Sequence, residues 1–166
     1  HLLSTQAVGD MSVAIYALKA SAEDYARMEQ AITLAAQCPP SKGAYSVGAV
    51  IVTEDGQVFT GYSRETAPAN HAEEEAILKA IQAGSRLTGA TIYSSMEPCT
   101  TRKSKPASCS ELIILHRMKR VVFAAYEPPT FVTCLGETVL QQAGIEVTIL
   151  SDLAQKALDV NRHLVK

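Results

Sequence analysis

The chain has 166 residues, of which 47% are hydrophobic and 19% charged, and a formal net charge of −2. That is the length of one domain with the make-up of a compact globular fold, which excludes a disordered chain. The mild acidity argues against a dedicated nucleic-acid binder, whose binding face is basic, and no apolar run approaches the roughly 18 residues that a membrane-spanning helix needs.

The opening stretch, HLLSTQAVGDMSVAIYAL, has neither a basic leader nor a continuous apolar centre, so it reads poorly as a secretion signal. Residues 1–20 are expected to form a peripheral segment of a single domain spanning 1–166. His1 is not a translational start, so residues ahead of it are expected. Residues 22–37 carry apolar side chains at helical spacing, with Ser21 as N-cap, Glu23 and Asp24 in the first turn and Pro39-Pro40 as the stop. Two β-rich runs follow, divided by Glu54-Asp55-Gly56, a hairpin signal. After a loop at 64–70, Asn70 is the expected cap of a helix from His71 to Ala83, ended by Gly84.

A short buried strand is predicted at 90–94, a loop at 97–108, a helix at 109–117 and a strand at 120–125. The pattern then repeats, with a helix near 135–143, a strand at 145–150 and a last helix near 152–164. Alternating strands and helices imply an α/β fold, a three-layer α/β/α sandwich around a mixed sheet of about five strands. The first two strands pair antiparallel through the hairpin, and the later ones, each separated by a helix, pair parallel.

The cysteines are Cys38, Cys99, Cys109 and Cys134. In a domain of this size, metal or catalytic chemistry is a better reading than a disulfide frame. His71 opens one helix, Cys99 follows Pro98 after a buried strand, and Cys109 begins another helix. One imidazole and two thiolates suit tetrahedral zinc and leave a fourth position for water, the catalytic pattern. Helix N-termini favour the thiolate form. Two thiolates also largely cancel the dication's charge, so a base beside the water becomes useful. Glu73 fills that role, taking the water's proton and passing it to a leaving amine.

His71-Ala72-Glu73, a strand, Pro98-Cys99 and a second cysteine resemble the signature of the cytidine deaminase-like zinc deaminases, H-x-E…P-C-x-x-C. The chain departs from that form, because nine residues rather than two separate Cys99 from Cys109. The long loop is similar to that of the riboflavin-pathway deaminases. The string Thr91-Ile92-Tyr93-Ser94-Ser95-Met96-Glu97-Pro98-Cys99 resembles their fungal branch, as do Arg120–Ala125 and Ala143–Val147.

The resemblance implies one Zn2+ per chain, bound by His71, Cys99 and Cys109, with Glu73 as the catalytic proton shuttle. The implied substrate is a diaminopyrimidinone bearing a ribityl phosphate. Lys105 stands where the family has its loop lysine, and Glu127 where it has an acidic turn residue. Arg64 replaces a bacterial histidine, Ala44 a bacterial asparagine and Pro129 another asparagine, which turns the reading from the bacterial ribosyl substrate toward the ribityl one. Arg64 and Lys105 are the expected phosphate contacts. Asn70 is a candidate for the sugar, and the backbone near Ala72 and Cys99 for orienting the base. A cytoplasmic enzyme, homodimeric by analogy of fold, follows from the same resemblance. A deaminase of cytosine, its nucleoside or its nucleotide is the alternative, and a non-catalytic zinc-scaffolded subunit a second one.

Other signals carry blander expectations. Glu74 and Glu75 are expected on the solvated helix face, and Arg102 and Lys103 in a solvated loop. Cys38 and Cys134 read as ordinary thiols, and His116 and His163 as structural or exposed. Tyr126 and Phe131 read as core packing or, alternatively, as walls of the pyrimidine pocket.

Overall fold

The computed structural model describes residues 20–101, 105–128 and 135–164. Arg102, Lys103, Pro129, Phe131 and Cys134 lie outside these residues.

Helix α1 is Ala22–Gln37. Its predicted cap is present: Ser21 Oγ accepts from Asp24 N at 3.1 Å, and Asp24 Oδ2 accepts from Ser21 N at 2.9 Å. Strands β1 (Gly48–Val52) and β2 (Val58–Tyr62) pair antiparallel through the expected turn, where Gly56 takes a φ of 89°. Helix α2 is Ala72–Gln82 and strand β3 is Thr91–Met96. Helix α3 (Cys109–Leu115), strand β4 (Arg120–Ala125), helix α4 (Gly136–Gln142) and strand β5 (Glu146–Ile149) follow. A 3-10 turn at Ser151–Leu153 leads into α5 (Ala154–Asp159).

The sheet order is β2-β1-β3-β4-β5. β1 is antiparallel to β2 and β3, while β3, β4 and β5 run parallel, so the sheet is mixed as expected. Alternation along the strands sorts the core onto two faces. Ala49, Ile51, Ile92, Val121 and Phe123 pack against α2, α3 and α4. Val50, Tyr93, Val122 and Ala124 pack against α1 and α5. Among the described residues no helix is long and apolar enough to cross a membrane.

The last helix is shorter than the predicted 152–164. Asn161 is fully buried, its Oδ1 accepting from Ser46 N at 2.6 Å and its Nδ2 donating to Ser46 O at 2.9 Å. The amide thereby stands in for a strand partner of Ser46, and the chain turns after Asp159 to deliver it. The preference of the local sequence for helix loses to that long-range pairing.

One buried ion pair ties the layers together. Asp24 of α1, 2% exposed, accepts both arms of the Arg120 guanidinium at 2.8 and 2.9 Å, and the Tyr93 hydroxyl at 2.7 Å. Arg120 continues to Glu146 of β5 at 2.7 Å. Burial by itself raises the Asp24 carboxyl, but the Arg120 and Tyr93 bonds outweigh it and hold the group at about 2. The folded value lies below the unfolded one of about 3.9, so the stabilisation is complete above that range and is lost as pH falls toward 2. Asp24→Asn is expected to cost about 1–3 kcal/mol in urea unfolding near neutral pH, because it removes the charged acceptor of both guanidinium arms and of the Tyr93 hydroxyl while Glu146 stays with Arg120. It should also flatten the pH dependence of stability below the carboxylate range, which acid titration followed by circular dichroism would register.

Candidate metal centre and active site

Three separate elements deliver the site. The loop at 64–70 enters α2 at His71, which is the N-cap in extended conformation. Asn70 is therefore not the cap expected from its side chain. Glu74 instead reaches back to accept from His71 N at 3.4 Å, while the Asn70 amide is claimed by Thr66 and Lys105. Gly61 of β2 is what lets α2 lie close enough, since a Cβ there would overlap the Ala72 carbonyl oxygen and sit 2.7 Å from Ala76 N.

The second element is the end of β3, which passes through Glu97-Pro98 to Cys99. The third is the start of α3, where Ser108 Oγ caps Glu111 N at 3.1 Å and Cys109 is the first helical residue. Ser110 ties the last two elements, its N–H donating to Cys99 O at 3.0 Å and its hydroxyl to Pro98 O at 3.2 Å.

Cys99 Sγ lies 3.6 Å and Cys109 Sγ 3.4 Å from His71 Nδ1, and all three donor atoms fall within 4.8 Å of one another. Both cysteines are buried, and neither is in a disulfide. Tetrahedral zinc, with bonds of about 2.3 Å to sulfur and 2.0–2.1 Å to nitrogen, sets nitrogen–sulfur separations of about 3.6 Å. The observed edges match that figure, and the donor set is the soft one that zinc favours. The Cys109 thiol's hydrogen bond, working against burial and aided by His71, pulls the Cys99 thiol down to about 4. Cys109 N also donates to Cys99 Sγ at 3.3 Å, as suits a thiolate.

Glu73 sits in the first turn of α2 and is 3% exposed. Burial, followed by the negative charge of Cys99, raises its carboxyl above the usual range. The Ser94 hydroxyl lies 2.7 Å from Met96 O and 3.3 Å from Glu73 Oε2. Its one proton can serve either acceptor, and when it is donated to Glu73 it favours the ionised carboxylate against the effect of burial. Ser94 was not singled out from the sequence, yet a signal existed: it is a polar residue in a strand buried on both faces, at the parity of Ile92, which packs toward α2.

Lys105 Nζ donates to Asn70 Oδ1 at 2.9 Å and to Glu74 Oε2 at 3.3 Å, which brings two of the sequence-predicted substrate contacts together. Glu127 is pushed up to about 7, first by burial and then by the charges of Cys99 and Glu73. Its Oε2 is buried with no hydrogen-bond partner among the described residues.

Arg64, the other expected phosphate contact, already has partners in the 38–46 segment. It takes a φ of 61° and turns its guanidinium onto Cys38 Sγ at 2.9 Å, Pro39 O at 3.2 Å, Ser46 Oγ at 3.3 Å and Tyr45 O at 3.4 Å. Glu75 differs from expectation: it is 1% exposed rather than solvated, because the 64–70 loop folds over it. Tyr126 is half exposed and gives its hydroxyl to Glu137 Oε1 at 2.7 Å, with its ring edge-on to Phe123.

Residues 21–125 match the family described as the cytidine and deoxycytidylate deaminase zinc-binding region. The chain belongs to that family. A curated relative, the diaminohydroxyphosphoribosylamino-pyrimidine deaminase of Schizosaccharomyces pombe, is 45% identical over 127 residues, 75% of this chain and 31% of the relative. The chain thus spans about a third of that relative's length. Among solved structures, the Rib2 deaminase of Aspergillus oryzae, a C-terminal deletion mutant in complex with DARIPP, is similar at a TM-score of 0.70 and 27% identity, over 80% of this chain and 86% of that one. The diaminohydroxyphosphoribosylaminopyrimidine deaminase/5-amino-6-(5-phosphoribosylamino)uracil reductase of Thermotoga maritima is similar at a TM-score of 0.70 and 29% identity, over 84% of this chain and 39% of that one.

Membership of this zinc-binding deaminase family agrees with the donor set and with a carboxyl raised by burial beside it. Replacing Cys109 by Ala is expected to abolish stoichiometric zinc, about one equivalent per chain in the unaltered protein, as read by elemental mass spectrometry after dialysis. Cys38→Ala, a thiol outside the cluster, should retain it.

Proposed function

We propose that the chain is a zinc-dependent hydrolytic deaminase acting on 2,5-diamino-6-ribitylamino-4(3H)-pyrimidinone 5′-phosphate in riboflavin biosynthesis. The observation that carries the reaction class is the buried Glu73 carboxyl beside an open His71, Cys99 and Cys109 cluster. The substrate rests on the 45% identical relative, named as a pyrimidine deaminase, and on the similar Rib2 deaminase in complex with DARIPP.

His71, Cys99 and Cys109 would hold the zinc. The ion supplies the polarisation that makes water a nucleophile near neutral pH. Glu73 takes the water's proton on its carboxylate and gives it to the ring nitrogen next to the attacked carbon. It then carries a proton to the exocyclic amine, which leaves as ammonia while the ring carbon keeps the oxygen. A carboxyl raised by burial suits both directions of transfer. The backbone at Ala72 and Cys99 orients the base, Glu127 offers its unpartnered oxygen to the diaminopyrimidinone, and Asn70 and Lys105 contact the ribityl phosphate. Arg64 is left out of this assignment, since its guanidinium is spent on the 38–46 segment. Cys38, Cys99 and Cys109 without disulfides fit a reducing cytoplasmic setting.

The decisive assay is ammonia release on the ribitylamino-pyrimidinone phosphate and on cytidine, side by side. Turnover of the first supports the proposal. Turnover of cytidine alone would keep the chemistry and overturn the pathway, and silence on both would favour a zinc scaffold. Glu73→Gln is expected to lower turnover by about 10³-fold with zinc retained. Lys105→Ala should instead raise KM by about tenfold, the loss of one charge-assisted contact.

A further inference from the structure

We propose that Glu75 and Thr66 are positioning residues that fix the polarity of the Asn70 amide and so hold Lys105 in place. The inference rests on the substrate roles proposed above for Asn70 and Lys105.

Glu75 is buried in the first turn of α2, and among the described residues no cation pairs with it. Both of its oxygens serve one residue. Oε2 accepts from Thr66 N at 2.6 Å, and Oε1 accepts from the Thr66 hydroxyl at 2.7 Å. A threonine hydroxyl has one proton, and here the carboxylate takes it. Towards any other neighbour, Thr66 Oγ1 is an acceptor. It therefore selects the NH2 end of Asn70, whose Nδ2 lies 3.4 Å away. The carbonyl end is left to face Lys105, and Oδ1 accepts from Nζ at 2.9 Å.

The loop backbone keeps the amide from swinging away. Arg64 N donates to Asn70 O at 2.8 Å, and Asn70 N to Ala67 O at 3.1 Å. Lys105 is held from its other side by Glu74 Oε2 at 3.3 Å. Adjacent carboxylates on one helix turn thus hold the two ends of a single chain of bonds: Glu75, Thr66, Asn70, Lys105, Glu74. Directed this way, the Asn70 amide leaves one Nδ2 proton for a substrate oxygen and stands next to an ammonium. Both are donors, which fits an oxygen-rich ribityl phosphate and not an incoming donor group.

A role confined to anchoring the loop predicts something different. The loop has a second tie to α2, in which Lys79 Nζ bonds Glu65 Oε2 at 2.6 Å and Thr60 O at 2.7 Å. Cutting that tie with Lys79→Met loosens the loop without touching the Asn70 amide, so it serves as the control.

The test is Thr66→Val, which removes the hydroxyl from an exposed position and keeps its shape, set beside Thr66→Ser, Glu75→Gln and Lys79→Met. Two readouts are taken: kcat and KM on the ribitylamino-pyrimidinone phosphate, and the acetylation rate of Lys105 by acetic anhydride, followed by peptide mass spectrometry. Thr66→Val is expected to raise KM by about tenfold with kcat within about twofold, and to speed Lys105 acetylation severalfold. Thr66→Ser should restore both, Glu75→Gln should move both in the direction of Thr66→Val, and Lys79→Met should move neither. Added to Lys105→Ala, Thr66→Val should raise KM no further. The proposal is overturned if Thr66→Val leaves Lys105 acetylation unchanged, or if Lys79→Met matches it. If the unaltered protein does not turn over this substrate, the functional reading fails, while the acetylation rates still decide the positioning claim.

Discussion

Everything in this molecule answers to one requirement: a nitrogen and two sulfurs from three separate elements must converge within 4.8 Å. No local sequence preference brings them there. α2 has to lie against β2 at Gly61, so that His71 reaches the rim of the sheet. The chain leaving β3 has to be pinned by Ser110, so that Cys99 turns back over the start of α3. Even α4 takes part, since a Cβ at Gly136 would overlap the Pro98 carbonyl oxygen and Glu97 Oε2 accepts from Glu137 N at 3.0 Å. The parallel order β3-β4-β5 gathers these contacts at one end of the sheet, the end where ligands of open α/β sheets bind.

The same convergence piles up negative charge. The Cys99 charge adds to burial in raising Glu73, and Cys99 and Glu73 together add to burial in raising Glu127. A dication is the natural counterweight, and its binding to the folded chain alone adds to stability. Lys105 adds positive charge from the intercysteine loop, but Glu74 of α2 already holds it.

The fold was largely legible because its signals are local. Alternation at Ala49-Val50-Ile51 and at Ile92-Tyr93 marks strands buried on both faces. Ser21 begins α1, and Pro39-Pro40 follow its end. The metal cluster was legible because residue type and spacing carry it. What escaped were side-chain partnerships across long separations. Asn70 is an excellent N-cap by type, yet Lys105 and Thr66 compete for its amide, and the role falls to His71. Glu75 looks solvated by sequence, and only the loop at 64–70 makes it internal. Arg64 has the chemistry to bind phosphate, but the 38–46 segment supplies acceptors nearer at hand. Each of these is a polar group with two possible partners, and the sequence does not say which arrives first.

The bracket that Asn161 places around Ser46 separates two ideas of where this unit stops. The stretch shared with the family ends at residue 125, on the last residue of β4. Cutting there would strip β5 from β4 and leave a long apolar strand with an open edge, an invitation to self-association. It would also orphan the Ser46 amide and carbonyl in the middle of the fold. The shared segment carries His71, Glu73, Cys99 and Cys109, while the segment after it supplies the edge strand beside β4. A cut at residue 125 would thus remove both the neighbour of β4 and the amide that pairs Ser46.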